Sequence, residues 1–173
     1  MQDRPADFDS FVAQSTDALM RTAYLIVWDL PEAEDLVQET LLKVARRWHR
    51  VRRMERPVAY ARRILVNLAL GGAARHGRRR RELTGEALPD RPDPAAVAAL
   101  PIEAHDELLC ALGALPPRQR TVLVLRYFLD LPEAEVAAAM KCSLGTVKST
   151  SARALARLEQ TLRTNNETRS ITT

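Results

Sequence analysis

LPEAEVAAAMKCSLGTVKSTSARALARLEQTL, residues 131–162, carries the pattern that decides the fold. Pro132 suits the first turn of a helix, and Val136, Ala137 and Met140 come after it at helical spacing. Lys141-Cys142-Ser143 interrupts that helix, and Ser143 is a good N-cap for a second. On a helical wheel Leu144, Val147, Leu155, Leu158 and Leu162 form one stripe of the second helix. Gly145, Thr146, Ser149, Ala152, Arg153 and Ala156 lie opposite, all small except Arg153. Such a face can enter a major groove, where Thr, Ser and Arg side chains reach base edges. The pattern predicts a DNA-binding helix-turn-helix. Its plain competitor is a helical hairpin whose bare Ala/Ser face packs on a neighbour.

Toward the N-terminus, Leu108, Leu109, Leu112 and Leu115 mark a helix that closes before Pro116-Pro117. Residues Arg118 to Leu129 predict another, with Val122, Leu123, Leu125, Tyr127 and Phe128 in the core. Ahead of these lies Thr84 to Asp106, TGEALPDRPDPAAVAALPIEAHD, with four prolines, five acids and one Arg. That composition cannot bury enough apolar surface to order itself and predicts a flexible linker. Beyond the second half, Thr164 to Thr173 is polar and is expected to fray into a disordered tail.

In the first half, Phe8, Phe11, Val12, Leu19, Met20, Ala23, Tyr24 and Val27 are spaced for one amphipathic helix. A second, about Glu32 to His49 after Pro31, puts Ala33, Leu36, Val37, Leu41, Val44, Ala45 and Trp48 inside. Its outer face starts acidic (Asp35, Gln38, Glu39) and ends basic (Arg46, Arg47, Arg50), an order that suits the helix dipole and equally a docking face for a basic partner. A third helix, Pro57 to Leu70, holds Val58, Ala61, Ile64, Leu65 and Leu68 inside, with Gly71-Gly72 weakening or ending it. From Arg46 to Arg81 there are thirteen arginines and a single acid, Glu55. That imbalance is too large for internal ion pairing. With Tyr60, Arg63 and Asn67 near its outer side, this stretch suits single-stranded nucleic acid.

The net charge of +4 agrees with a polyanionic partner without proving one. Of the 26 basic residues only Lys43, Lys141 and Lys148 are lysines, a skew that a GC-rich genome also produces. No apolar run reaches the roughly 18–20 residues of a membrane span, and the N-terminal MQDRPADFDSF is not expected to be a secretory signal. Cys110 and Cys142 lack a CxxC or nearby His partner, so they read as thiols of a reducing cytoplasm and no metal site is expected. No strand pattern occurs. The expected fold class is all-α, as two small helical domains joined by a flexible linker.

Set in order, these motifs resemble a bacterial RNA polymerase sigma factor of the extracytoplasmic-function (ECF) class, in the sigma-70 family. Ala33-Glu34-Asp35-Leu36-Val37-Gln38-Glu39-Thr40 looks like the region 2 segment that docks on core RNA polymerase. Arg56-Pro57-Val58-Ala59-Tyr60 through Asn67 is similar to the segment that melts the promoter and reads the −10 element. Leu115-Pro116-Pro117-Arg118-Gln119-Arg120 resembles the start of region 4, and Gly145-Thr146-Val147-Lys148-Ser149, with Arg153-Ala154-Leu155, its −35 recognition helix. The chain departs from the usual pattern with Tyr60 in place of Trp, Gly71-Gly72-Ala73 after the −10 helix, and Thr150 after Lys-Ser.

The resemblance implies residues 1–83 as region 2, 84–106 as linker, 107–163 as region 4 and 164–173 as tail. It implies core-polymerase binding through Asp35, Gln38, Glu39 and Leu42, and −10 binding through Arg52, Arg53, Tyr60, Arg63 and Asn67. For the −35 duplex it implies Arg118, Thr146, Lys148, Ser149, Arg153 and Arg157. The partners would be core RNA polymerase, promoter DNA and an anti-sigma factor, with no cofactor. The alternative is a stand-alone helix-turn-helix repressor or activator, which normally needs an apolar dimer stripe or ligand pocket beyond its core positions. An enzyme is poorly supported, since there is no phosphate loop, metal spacing or base–nucleophile set, and His49, His76 and His105 stand in basic or linker contexts.

Overall fold

The computed structural model describes the backbone of residues 4–84 and 106–171, and side chains over 7–71 and 107–164. The linker expectation therefore falls almost wholly on residues outside those described. The fold is all-α, with no strand among the described residues.

The first half is a bundle of α1 (Arg4–Val27), α2 (Leu30–Arg46), the short α3 (Trp48–Val51) and α4 (Pro57–Thr84). Asp29 caps α2 by accepting the Glu32 amide at 2.9 Å, satisfying one of the free N–H groups at its start. The expected second helix breaks at Arg47, and α3 then turns Trp48 and Val51 inward. Trp48 packs edge-on to Phe8 at 5.2 Å, with Phe11 also against it at 5.1 Å. Ala45, expected inside, is exposed, and Thr40 takes a buried position instead. The Gly71-Gly72 pair does not end α4. Its backbone stays helical to Thr84, because extending an established helix adds a hydrogen bond for each residue fixed.

The second half holds α5 (Asp106–Gly113), α6 (Pro117–Leu123), α7 (Glu133–Met140) and α8 (Leu144–Ile171). Between α6 and α7 the chain makes a π-helical turn, Val124–Phe128, in which the Leu129 amide bonds to the Val124 carbonyl at 3.0 Å. The wider turn rotates the side chains at its end, so Tyr127 and Phe128 are exposed where a regular helix would bury them. Leu108, one of the leucines that mark α5, is exposed as well. The turn of the helix-turn-helix is made by Lys141 at φ 50°, a left-handed conformation that costs a non-glycine residue about 1–2 kcal/mol. Ser143 then accepts the Thr146 amide at 3.1 Å, as its N-cap role predicts.

α8 buries Val147, Thr150, Ser151, Ala154 and, in part, Leu158, a stripe at i, i+3, i+4, i+7, i+11. Leu144 and Leu155, assigned to the inner stripe from the leucine spacing, are 49% and 40% exposed. The small residues are the better guide because α6 crosses α8 closely. The backbone of α8 runs to Ile171, past the point where a frayed tail is expected.

The halves do not stand apart. α6 and the π turn pack on α1, and α7 packs on α4. One continuous core therefore includes Leu25, Ile26 and Trp28 of the first half and Leu109, Leu115, Leu123 and Leu125 of the second. Gly113 meets the Trp28 indole so closely that a Cβ there would lie 2.5 Å from two ring atoms.

Candidate nucleic-acid interface

Three surfaces collect the candidate residues. The first is the outer face of α2, where Asp35, Gln38, Glu39 and Leu42 are all exposed. Leu42 is the most open large apolar side chain among the described residues, at 59%. Glu39 pairs with Lys43 at 3.2 Å one turn on, an exposed pair worth about 0.3–0.5 kcal/mol. Among the described residues nothing covers this acidic, leucine-bearing face.

The second surface is a cleft of about 340 Å³ between the end of α2 and α4, lined by Lys43, Arg46, Arg47, Tyr60 and Ile64. Arg47 Nη1 donates to the Tyr60 hydroxyl oxygen at 3.3 Å, leaving an aromatic face among three cations. Arg63 and Asn67 continue the Tyr60 side of α4 at i+3 and i+7, and the Asn67 amide donates to the Arg63 carbonyl. Arg53 is exposed, and Arg52 pairs with Asp7 of α1 at 3.7 Å. The structure thus groups Tyr60, Arg63 and Asn67 on one helix face and leaves Arg52 and Arg53 on the loop before it. Lys43, Arg46 and Arg47 join the cleft although spacing along the chain places them on a separate helix. For Arg46 and Arg47 the signal is the dense arginine run that they open.

The third surface is α8. Lys148, Ser149, Arg153 and Arg157 are exposed and Thr146 is half-buried, so this face is open. Opposite the buried stripe, Gly145, Ser149, Ala152 and Ala156 leave the backbone approachable. Arg153 folds back to donate from Nε to the Ser149 carbonyl at 3.2 Å, one turn earlier. Lys148 lies on the flank and reaches Glu133 of α7 at 3.8 Å. Arg118 is exposed on the first turn of α6. Thr150 is buried, so it is a core residue and not part of the reading face.

The chain matches the family model for sigma-70 region 2 over residues 11–79 and that for sigma-70 region 4 over residues 105–158. It is 36% identical over 159 residues to the RNA polymerase sigma-E factor of Streptomyces coelicolor, covering 90% of this chain and 86% of that protein. The chain is a member of the sigma-70 family, in its ECF class. It is also 32% identical over 183 residues to the ECF RNA polymerase sigma factor SigG of Mycobacterium tuberculosis, covering 91% of this chain and 49% of that one. Among solved structures it is similar to the sigma factor RpoE of Bartonella quintana, crystallised with the anti-sigma factor NepR. That likeness has a TM-score of 0.69 at 26% identity and covers 91% of this chain and 97% of the other, so it spans both halves.

Within this sigma factor, Arg120 holds a position that its local sequence does not reveal. It is 3% exposed, and its guanidinium donates from Nε to the Ile26 carbonyl at 2.8 Å and from Nη1 to the Gly113 carbonyl at 2.7 Å. It also lies over the Trp28 ring at 5.9 Å. Burial lowers its pKa to about 10, with the charge of Glu32 acting against that shift. It therefore stays charged at neutral pH and makes charge-assisted bonds to carbonyls of both halves. No stretch of sequence shows this, because Ile26 is 94 residues away. Among the described residues no cluster of His, Cys, Asp and Glu could hold a metal, and no helix is long and apolar enough to cross a membrane.

Proposed function

We propose that this sigma factor docks on core RNA polymerase through Asp35, Gln38, Glu39 and Leu42, opens the promoter at α4 and reads the −35 duplex with α8. The observation that carries the assignment is the uncovered face of α2, where an exposed leucine sits among acidic and amide side chains. The face is acidic around a single leucine rather than a broad apolar dimer stripe, which favours docking on a basic partner over a stand-alone regulator. Core polymerase offers it a partner.

Arg52, Arg53, Tyr60, Arg63 and Asn67 then take the −10 strand. Unstacking a base costs a few kcal/mol, which aromatic stacking at about 1–3 kcal/mol per base and basic contacts offset. The cleft beside Tyr60 supports that role, since its cations surround an aromatic edge. Thr146, Lys148, Ser149, Arg153 and Arg157, together with Arg118, take the −35 duplex. The domain limits are then 1–83, 84–106, 107–163 and 164–173. The protein has no catalytic activity of its own, works in the cytoplasm, and is held in check by an anti-sigma factor, as its Bartonella relative was crystallised with one.

Run-off transcription with the cognate core polymerase on a library of random −10 and −35 elements tests this. Promoter-directed transcripts should appear with both components and with neither alone. A library that yields none would overturn the reading.

A further inference from the structure

Closing the two halves brings one acidic turn against both nucleic-acid surfaces. Pro132-Glu133-Ala134-Glu135 opens α7, the first helix of the helix-turn-helix, and α7 packs on α4. Glu135 accepts Arg56 Nη1 at 2.7 Å, across 79 residues of chain. Arg56 stands immediately before α4, at the head of the segment assigned to the −10 element. Arg62, one turn into α4 and half-buried, has its pKa lowered by desolvation while the charge of Glu135 opposes the shift. Two residues earlier, Glu133 takes Lys148 of the recognition helix at 3.8 Å and Arg126 at 3.5 Å. Each surface thus has a cation already engaged by a carboxylate from one four-residue turn.

We propose that this turn is an internal stand-in for DNA phosphate, which occupies Arg56 and Lys148 while the halves are closed and must be displaced before the promoter is gripped. A carboxylate and a phosphate oxygen are equivalent partners for these cations, since both are anionic acceptors of charge-assisted bonds. Beside each cation the carboxylate repels an incoming phosphate and takes a donor that the phosphate would use. DNA binding at α4 therefore competes with the α4–α7 contact. The inference rests on the assignment of α4 and α8 as DNA-reading surfaces, but its test needs no polymerase.

The signature is an effect across the halves, since a residue of the second half should control a ligand of the first. Binding of a short mixed-sequence single-stranded deoxyoligonucleotide to the full-length free chain would be measured for the parent, Glu135→Gln and Glu159→Gln. Glu159→Gln is the control, because it removes the same charge from the same half but among the described residues pairs with Arg163 on its own helix. Both acids are at least partly exposed, and unchanged circular dichroism would show that the fold is kept. Glu135→Gln should tighten binding several-fold at low salt, with Glu159→Gln close to the parent. The gap should narrow as salt rises, since screening weakens the internal pair too. Glu133→Gln should likewise tighten binding of a mixed-sequence duplex. Equal effects of Glu135→Gln and Glu159→Gln, or no effect of either, would overturn the stand-in while leaving the sigma assignment to the run-off assay. Absence of oligonucleotide binding by every variant would overturn it together with the role of α4.

Discussion

A buried guanidinium is tolerable only where acceptors take its protons, and at Arg120 backbone carbonyls of α1 and α5 do so. The Ile26 carbonyl belongs to the last turn of α1, where four acceptors lack an intrahelical partner and the dipole is negative. Lysine keeps the charge but loses the planar fork, so Arg120→Lys should destabilise the protein by about 2–3 kcal/mol in urea unfolding. A change under about 0.5 kcal/mol, the range of ordinary surface substitutions, would mean that the guanidinium contributes little. Beside it, Gly113 leaves no room for a side chain against Trp28. Gly113→Ala should cost about 1–3 kcal/mol by overpacking and shift the fluorescence of Trp28. An unchanged spectrum and melting curve would place the halves further apart than described.

At the scale of the element, α2 and α8 each divide a structural face from an open one. Glu39 avoids the buried stripe of α2 and bonds only Lys43 among the pairs described, so Glu39→Lys should alter stability by only about 0.5 kcal/mol. Affinity for core polymerase should fall clearly in a direct binding assay, and retained affinity would remove this face from the docking site. On α8, an arginine aimed at guanine contributes ~1–3 kcal/mol of discrimination. Arg153→Ala should therefore relax preference at one −35 base pair. Lys148, on the flank, should hold a phosphate, so Lys148→Ala should weaken all promoters alike and lower the salt slope by about one unit. A −35 substitution matrix at several salt concentrations separates the two. Uniform weakening by Arg153→Ala, or altered preference with Lys148→Ala, would turn α8 the other way in the groove.

Across the whole molecule, the shared core around Trp28 makes the two halves one cooperative unit. The free chain should therefore unfold in a single thermal transition, with tryptophan fluorescence and helical signal lost together. Two separated transitions would mean that the halves are independent in solution. This packing also explains why the expected first-helix stripe is incomplete. Leu25 falls off the expected stripe yet is fully buried, and α6 and the π turn pack on the same helix.

The sequence alone determined the helical elements, the acidic face of α2, the basic ground around Tyr60 and the helix-turn-helix, because those signals are local. Helical spacing, Ser143 as a cap and a run of thirteen arginines against one acid need no partner to be read. Tertiary structure decided what depends on distant neighbours. The Leu144 and Leu155 positions lost their place in the core to Thr150, Ser151 and Ala154 because helix approach selects small residues. Tyr127 and Phe128 turned outward because a π turn changes the helical register, and Arg120 went inward because acceptors 94 residues away were in reach. The pairing of Glu135 with Arg56 belongs to the same class. Charges found far apart in sequence meet only after the chain has closed, and no periodicity encodes that meeting.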